Sequence, residues 1–295
     1  MSLLNTLKFI VRHPLNRTRR ARAVLRFAKW QIESRLRPGG VVVEWINGSR
    51  LRIRSGDTGV TGNIYTGLYE FEDMAFLLHL LRSTDVFVDV GANCGAYTVL
   101  ACSAVGARGY AFEPAPAAYE RLIDNVSINR LENRVICVKK CVGAGTGVAT
   151  FSTGGDALNH VLAPGEAAEE VTHAEMCSLD RVLDDASPLL MKIDVEGFET
   201  AVLEGAAGTL RKPCLRAAII EVNGSGSRYG YDESRVLDAM QDLGFRIFTY
   251  DPARRELREG RSRTSSNVLF VRDVAFVQDR LKGAPAARLR GRALV

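Results

Sequence analysis

Two groups of residues in this sequence have the types and the spacing of a binding site. The first is the turn 89–95, DVGANCG, which ends a short apolar run. Glycine lets the backbone turn sharply and approach a ligand closely at the end of a strand. Glu113 lies twenty-four residues after Asp89, where a carboxylate can accept hydrogen bonds from both hydroxyls of a ribose. This order indicates a nucleoside-binding site, with an unliganded loop as the alternative.

The glycine spacing discriminates between nucleotide ligands. Gly91 and Gly95 give the pattern G-x-x-x-G, whereas the dinucleotide fingerprint is G-x-G-x-x-G. Because the second glycine of that fingerprint is missing, a pyrophosphate would lack its close approach to the backbone. An NAD-dependent oxidoreductase is therefore the less favoured enzyme class.

The second group consists of carboxylates at the ends of two predicted strands. Asp194, Glu196 and Glu199 leave the end of one apolar run, and Glu221 lies at the end of the next. Carboxylates at this edge of a parallel sheet can orient a base, attract a cation or hold a divalent metal ion. We favour Asp194 as a catalytic residue, because Glu199 suits an acid that complements a helix dipole. The sequence leaves the requirement for a metal open.

A general base would accelerate a reaction of a hydroxyl group by about 10²–10⁴-fold. Of the four histidines, His160 is the candidate, because it lies in the loop-rich segment between the third and fourth predicted strands. That segment is expected to lie over the active face, with an ordinary loop histidine as the alternative. His13, His79 and His173 are expected to have structural or solvent-exposed roles.

Strands and helices alternate from residue 86 onwards. Continuous apolar runs predict buried strands, and the longer stretches between them predict helices. This alternation is typical of a doubly wound α/β fold with a mostly parallel sheet. The last two strands have no helix between them, so a terminal hairpin should add one antiparallel strand. The predicted strands are 86–90, 109–112, 135–138, 189–193, 217–222, 245–250 and 268–271, and the predicted helices between them are 97–105, 117–129, 198–210 and 233–243.

The residues before this alternation form a basic arm and a short cover. The charge is +9 over residues 1–40, −11 over 41–253 and +7 over 254–295. Helical stretches in the arm end at the breaker cluster Arg37-Pro38-Gly39-Gly40, and a hairpin with Asn47-Gly48 at its turn and a helix over 70–81 follow. A basic amphipathic helix can contact an anionic membrane, cover a cleft or pack on the body.

The amino-acid composition excludes several classes of protein. Hydrophobic residues make up 46% of the 295 residues and charged residues 25%, which is typical of a globular protein. The sequence contains no run of ~18 apolar residues that could form a membrane span. Its six cysteines include no C-x-x-C pair, which indicates reduced thiols and a cytoplasmic protein. No aromatic-interleaved basic sheet motif is present, so recognition of RNA would lack its usual stacking residues. A non-catalytic binding protein that uses the basic arms is therefore a weaker alternative.

Five stretches together carry a resemblance to a known family. They are DVGANCGAYT, AFEP, SLDRVL, MKIDVEGFETAVLEGAAGTL and IIEVN. Over roughly residues 62–250 the sequence resembles the FkbM family of S-adenosylmethionine-dependent methyltransferases. The resemblance implies the Rossmann-like class I methyltransferase fold, with seven strands of which one is antiparallel. It also implies methyl transfer to a hydroxyl of a sugar, glycolipid or natural product.

The resemblance also assigns roles to individual residues. Asp89, Gly91, Asn93 and Gly95 would line the methionine part of S-adenosylmethionine, and Glu113 would hold the ribose. The backbone around Cys141 and Val142 would flank the adenine. Asp194 would lie near the sulfonium, and Tyr69 and Glu70 would close over the cofactor. The implied units are a basic helical N-terminal arm over 1–40, a cover of hairpin and helix over 41–82, the methyltransferase core over 83–272, and a basic C-terminal tail over 273–295.

Overall fold

The computed structural model of the protein describes residues 3–37, 39–153, 159–263, 265–289 and 291–295. Pro38 of the predicted breaker cluster, and residues 156–158 beside His160, lie outside these ranges. The helices are α1 (Leu3–Arg12), α2 (Arg20–Leu36), α3 (Thr58–Thr66), α4 (Phe71–Leu80), α5 (Ala96–Val99), α6 (Pro116–Ile128), α7 (Leu179–Val182), α8 (Glu199–Glu204), α9 (Ala207–Arg211), α10 (Ser234–Asp242) and α11 (Val274–Lys282). A π-helical segment, Leu100–Val105, continues α5, and 3₁₀ turns cover Pro14–Asn16 and Ser225–Tyr229.

The strands supply a central sheet and three smaller ones. They are β1 (Val41–Glu44), β2 (Arg50–Ile53), β3 (Val86–Val90), β4 (Arg108–Phe112), β5 (Val135–Val138), β6 (Cys141–Val142), β7 (Gly147–Ser152), β8 (Val171–Cys177), β9 (Pro188–Ile193), β10 (Ala217–Glu221), β11 (Arg246–Asp251), β12 (Glu256–Glu259), β13 (Asn267–Val271), β14 (Arg288–Leu289) and β15 (Arg292–Ala293). The seven strands predicted from residue 86 onwards begin and end within one residue of these bounds.

The central sheet has the strand order β12-β11-β13-β10-β9-β3-β4-β5. The five strands from β10 to β5 run parallel to one another, whereas β13 runs antiparallel to both β10 and β11. The predicted doubly wound class I methyltransferase fold is thereby confirmed, with β13 as the reversed strand. An eighth strand, β12, joins the expected seven, because the polar link after β11 turns back and pairs with it.

Two regions differ from the sequence-based expectations. The predicted helix over 198–210 is divided into α8 and α9 at Gly205 and Ala206. The chain passes closely here, since a Cβ on Gly205 would overlap the carbonyl group of Gly143. The segment between β5 and β9, expected to be rich in loops, forms a second sheet of β6, β8 and β7. In this sheet Phe151 is buried and faces the main cavity of the protein.

The basic arm packs on the body, which was one of the interpretations open for it. Ile10 of α1 and Phe27 and Trp30 of α2 are buried in the same apolar core as the hairpin and α4. The buried amide of Asn16 donates hydrogen bonds of 2.8 Å to the Ile10 carbonyl and 3.1 Å to the Tyr65 carbonyl. Among the described ranges, no helix combines the length and the apolar character needed to cross a bilayer.

Candidate active site

The main cavity, of about 580 Å³, lies at the carboxyl ends of the parallel strands. This is the edge at which doubly wound sheets bind ligands. Two of the predicted site residues, Gly95 and His160, lie outside its lining. The cavity brings together all the others: Tyr69, Glu70, Asp89, Gly91, Asn93, Glu113, Cys141, Val142 and Asp194.

The glycine turn is held between two strand ends. The amide groups of Gly91 and Ala92 donate hydrogen bonds of 3.0 and 2.9 Å to the carbonyl of Phe112. Gly91 has φ +79°, and a Cβ at this position would overlap the backbone oxygen of Asp194. Gly91 therefore joins the glycine turn to the carboxylate group, so that the two motifs found in the sequence form one site.

Gly95 has a different role from the one the resemblance implied. It has φ +84° and precedes α5, and a Cβ there would come within 2.6 Å of the Leu122 side chain on α6. Gly95 therefore allows α5 and α6 to approach each other and does not line the cavity. A left-handed turn of this kind looks the same in the sequence whether it faces a ligand or a helix.

The carboxylate of Glu113 is fixed by the backbone on both sides. Its Oε2 accepts a hydrogen bond of 2.8 Å from the Asn93 amide, and its Oε1 accepts one of 2.8 Å from the Ala115 amide. Burial raises the pKa of Glu113 to about 7, although these two bonds partly offset the effect. The group is thus preorganised at the end of β4, where it can accept hydrogen bonds from a ligand.

Lys192, which the sequence analysis did not select, holds Asp194 in place. Its Nζ lies 2.5 Å from Asp194 Oδ2 and 4.7 Å from the centre of the Tyr97 ring. Burial opposes a charge on Lys192, but Asp194, Glu70 and Asp89 outweigh it and raise the pKa of this lysine. A lysine inside the apolar strand β9 was a usable signal, because lysine is almost never fully buried unless it is paired.

Three carboxylates form a cluster at the ends of β9 and β10, whereas Glu113 follows β4 on the other side of β3. Asp194, Glu196 and Glu221 each place an oxygen within 4.8 Å of the others. Burial, together with the neighbouring charges of Asp194 and Glu196, raises the pKa of Glu221 to about 9. Such a cluster can share a proton or hold a cation.

A buried polar bridge closes the N-terminal side of the cavity. Nδ2 of Asn267, the first residue of β13, donates hydrogen bonds of 3.0 Å to Glu70 Oε1 and 2.8 Å to Asp73 Oδ2. Burial, followed by the charge of Glu70, raises the pKa of Asp73 to about 7. The bridge ties the start of α4 to the reversed strand and so positions Glu70 and Tyr69 at the cavity.

The remaining candidates have structural partners. Nε2 of His160 lies 2.9 Å from Glu166 Oε1, while the neighbours Asn159 and Val161 line the cavity. Glu199 Oε1 accepts hydrogen bonds of 3.1 and 3.2 Å from the amides of Val195 and Gly197. Glu199 thus stabilises the turn before α8, as expected from its position at a helix start.

Several known methyltransferases are similar to this chain in sequence or in fold. Hexuronic acid methyltransferase AglP of Haloferax volcanii is 28% identical over 159 residues, which are 52% of this chain and 62% of that relative. The crystal structure of methyltransferase FkbM from Methylobacillus flagellatus has 17% identity and a TM-score of 0.43, covering 72% of this chain and 52% of that one. The Streptococcus mutans protein SMU.1697c, in complex with SAH, has 12% identity and a TM-score of 0.40, covering 67% and 93%.

The central sheet has the strand order of a class I methyltransferase. The family model for the methyltransferase FkbM domain matches residues 89–247, which is more than half of the chain. The chain therefore belongs to the FkbM methyltransferase family. The chain spans less than two thirds of the length of AglP.

Proposed function

We propose that this protein transfers the methyl group of S-adenosylmethionine to an oxygen atom of a sugar, a glycolipid or another hydroxyl-bearing natural product. The observation that carries the proposal is one cavity that joins Glu113 to the carboxylate cluster. Its volume of about 580 Å³ lies within the ~300–1,000 Å³ of small-molecule sites. Donor and acceptor can therefore lie side by side between these two ends.

The residues at the glycine turn fit this cofactor. Glu113 would bind the ribose, because its carboxylate is fixed, nearly buried and part of the cavity wall. Asp89, Gly91 and Asn93 would hold the methionine part. Negative charge on Asp89 and the cluster suits a cofactor with an ammonium and a sulfonium group.

The adenine would lie on the side of the cavity formed by β6. Cys141 and Val142 are buried and belong to the cavity wall, and they follow β5 closely in the chain. Tyr69 and Glu70 would close the site from the N-terminal side, since the Asn267 bridge holds this segment against β13.

Asp194 is the proposed catalytic residue. S-adenosylmethionine would supply an electrophilic methyl group, and the chain must hold the acceptor oxygen in line with it, which can supply ~7–11 kcal/mol. Asp194 would accept a hydrogen bond from the acceptor hydroxyl and take its proton as the oxygen is methylated. Lys192 fixes the orientation of this carboxylate at 2.5 Å.

His160, the second catalytic candidate, acts at a distance in this proposal. Through its contact with Glu166 it would position the loop that carries Asn159 and Val161 on the cavity wall. We therefore expect replacement of His160 to affect the binding of the acceptor more than the chemical step.

The charges of the cavity favour an uncharged acceptor. Glu70, Asp194 and Glu196 line the cavity as carboxylates, while Glu221, with its pKa of about 9, holds its proton at neutral pH. The two lysines of the lining, Lys192 and Lys140, are paired with Asp194 and Glu175. A carboxylate on the acceptor would meet like charges, which weakens association. We propose a neutral hydroxyl-bearing sugar or an amino sugar as acceptor, in contrast to the relative AglP, which is a hexuronic acid methyltransferase.

Two measurements test this function. Calorimetry should detect binding of S-adenosylmethionine and no binding of NAD. Incubation with neutral, amino-substituted and uronic acid glycosides should then release S-adenosylhomocysteine with the first two classes. Binding of NAD alone would refute the cofactor assignment, and turnover with the uronic acid alone would refute the acceptor class.

Chelation tests whether the carboxylate cluster works with a metal ion. If the cluster acts by hydrogen bonding and proton transfer, dialysis against EDTA should leave turnover unchanged. Loss of turnover that Mg²⁺ or Mn²⁺ restores would assign Asp194, Glu196 and Glu221 to a divalent cation.

A further inference from the structure

A second cavity, of about 600 Å³, lies in the N-terminal part of the molecule between α2, the β1–β2 hairpin and the C-terminal segment. It shares no lining residue with the main cavity. Its basic lining residues are Arg19, Arg22 and Arg26 from the arm and Arg292 from β15, and its acid is Glu44. The methyl transfer proposed above uses none of these residues.

Among the residues that the structure describes, three of these arginines have no partner for their charge. Within the described ranges, the guanidinium groups of Arg19, Arg22 and Arg292 form no ion pair or hydrogen bond with another residue. Arg26 differs, because its Nη2 donates hydrogen bonds of 2.7 Å to Asn16 Oδ1 and to the Tyr65 carbonyl. Arg26 therefore has a structural role in the wall of the cavity, and the guanidinium groups of the other three arginines remain available to bind an anion.

The start of α2 adds to this positive potential. This 17-residue helix begins after Arg19 with no side-chain cap on its first amide groups and no acid in its first turn. Free amide groups and the helix dipole attract an anion at such an end. Thr18 and Arg19, which precede the helix, both line the cavity.

The floor of the cavity is apolar. Its partly exposed apolar residues are Leu15, Val43, Ile64 and Leu289, and the almost completely buried Trp45, Leu51 and Ile53 support them. The indole Nε1 of Trp45 donates a hydrogen bond of 2.5 Å to the Gly67 carbonyl, which fixes the ring. A ligand that matches this cavity therefore combines an anionic group with an apolar or ring-shaped part.

We propose that this cavity binds a phosphate ester. The phosphate would lie among Arg19, Arg22 and Arg292 at the start of α2, and the esterified group would lie on Leu15, Val43 and Ile64. Arginine suits this ligand because its planar donors match phosphate oxygens in pairs. Either a soluble ester or the headgroup of a phospholipid can present this chemistry.

The outer face of α2 has exposed apolar residues that could contact a membrane. Leu25, Ile32 and Leu36 recur at helical spacing and are 67%, 62% and 75% exposed, and the cavity residue Arg22 lies one turn before Leu25. A leucine stripe beside basic residues is the pattern of a helix that lies in a membrane interface.

The experiment uses the full chain, with inorganic pyrophosphate as the soluble probe in calorimetry. Binding should weaken about tenfold in R22Q and in R292Q, because each loses charge-assisted hydrogen bonds. R20Q is the matched control, since Arg20 is exposed on the same helix end but lies outside the cavity. E44Q should strengthen binding by removing the opposing acid. No pyrophosphate or vesicle binding by the wild type, or equal binding by R22Q and R20Q, would overturn the proposal.

Sedimentation with phosphatidylcholine vesicles, with and without phosphatidic acid, distinguishes the two sources. Sedimentation that needs phosphatidic acid and is lost in both R22Q and L25Q/I32Q would support a phospholipid headgroup. Pyrophosphate binding without sedimentation would support a soluble ester. Circular dichroism of each variant separates loss of binding from loss of the fold. Because pyrophosphate binding is measured without a methyl donor, its failure would leave the proposed methyl transfer unaffected.

Discussion

The two cavities of this protein carry opposite charges and are built in different ways. In the main cavity the carboxylates lie close to a cation, as in the Lys192–Asp194 contact of 2.5 Å, or to one another, as in the cluster of Asp194, Glu196 and Glu221. In the second cavity three arginines at the rim have no partner among the described residues. Buried charges must be compensated within the protein, because they have lost their hydration. Exposed arginines stay hydrated and need no partner until a ligand binds. The main cavity should therefore respond strongly to single substitutions, and the second one mildly.

The largest effect is expected for G91A. A Cβ at this position would overlap the backbone oxygen of Asp194, and φ is +79°, so the variant should lose about 3 kcal/mol or more of unfolding free energy and its cofactor binding. Chemical denaturation and calorimetry measure both. G145A, whose Cβ would meet nothing within 4 Å, is the control and should behave as the wild type. Normal cofactor binding by a stable G91A would separate the glycine turn from the site.

The next effect concerns Asp194. D194N should reduce kcat by about 10²–10⁴-fold, because the amide cannot take the acceptor proton, while the affinity for S-adenosylmethionine changes little. Release of S-adenosylhomocysteine gives kcat and KM. H160A is the comparison, and we expect it to raise KM while kcat stays near the wild-type value. Turnover by D194N at the wild-type rate would remove Asp194 from the chemical step.

A smaller effect follows from Glu113. Burial raises the pKa of Glu113 from 4.5 to about 7, so its charged, strongly accepting form increases as the pH rises through 7. Affinity for S-adenosylmethionine should rise over the same range in the wild type. In E113Q it should be about tenfold lower and independent of pH, because hydrogen bonds to a charged group contribute ~1.5–3 kcal/mol. Calorimetry from pH 6 to pH 8 provides the test, and a parallel rise in E113Q would assign the titration to another group.

The same shift predicts a pH effect on stability with the opposite sign. A carboxyl group with a raised pKa holds its proton longer in the folded chain than in the unfolded one. Glu113 therefore lowers the unfolding free energy as the pH rises from about 4.5 to about 7. E113Q should show a flatter dependence of unfolding free energy on pH over this interval.

The smallest effect concerns the contact between the basic arm and the main cavity. The Phe9 ring of α1 packs edge-on against Tyr69 at 5.3 Å between ring centres, and Tyr69 lines the main cavity. Removing such an aromatic contact costs ~0.5–1.5 kcal/mol, so F9A should weaken cofactor binding a few-fold. L4A is the control, because Leu4 is 69% exposed on the same helix. Equal affinity of F9A and wild type would make the arm independent of the cofactor site.

Much of the central sheet was predictable from local patterns. Its strands β3, β4, β9 and β10 are short apolar runs, and their ends carry Asp89, Glu113, Asp194 and Glu221. Because parallel strands present their carboxyl ends at one edge, spacing along the chain was enough to place these groups around one site. The reversed direction of β13 was also expected, because no helix lies between it and β11.

The elements that were missed have no such local pattern. β7 and β8 are partly exposed, with polar and apolar residues mixed along them, and they are stabilised by pairing with each other. Helix α3 contains Gly59 and Gly62 and lacks a strong apolar stripe, yet Val60 is buried in the core. Contacts with the rest of the chain decide such segments, and propensity is only a weak guide there.

The sequence by itself determined the sheet, the glycine turn and the family, because these depend on residue type and spacing along the chain. The tertiary structure decided which charged groups meet. Only the fold brings Lys192 of β9 to the Tyr97 ring and Asn267 of β13 to Glu70 and Asp73. It also gathers Arg19, Arg22 and Arg292 around one cavity from opposite ends of the chain. Electrostatic interactions depend on distance in space and on burial, and neither is encoded by spacing along the sequence.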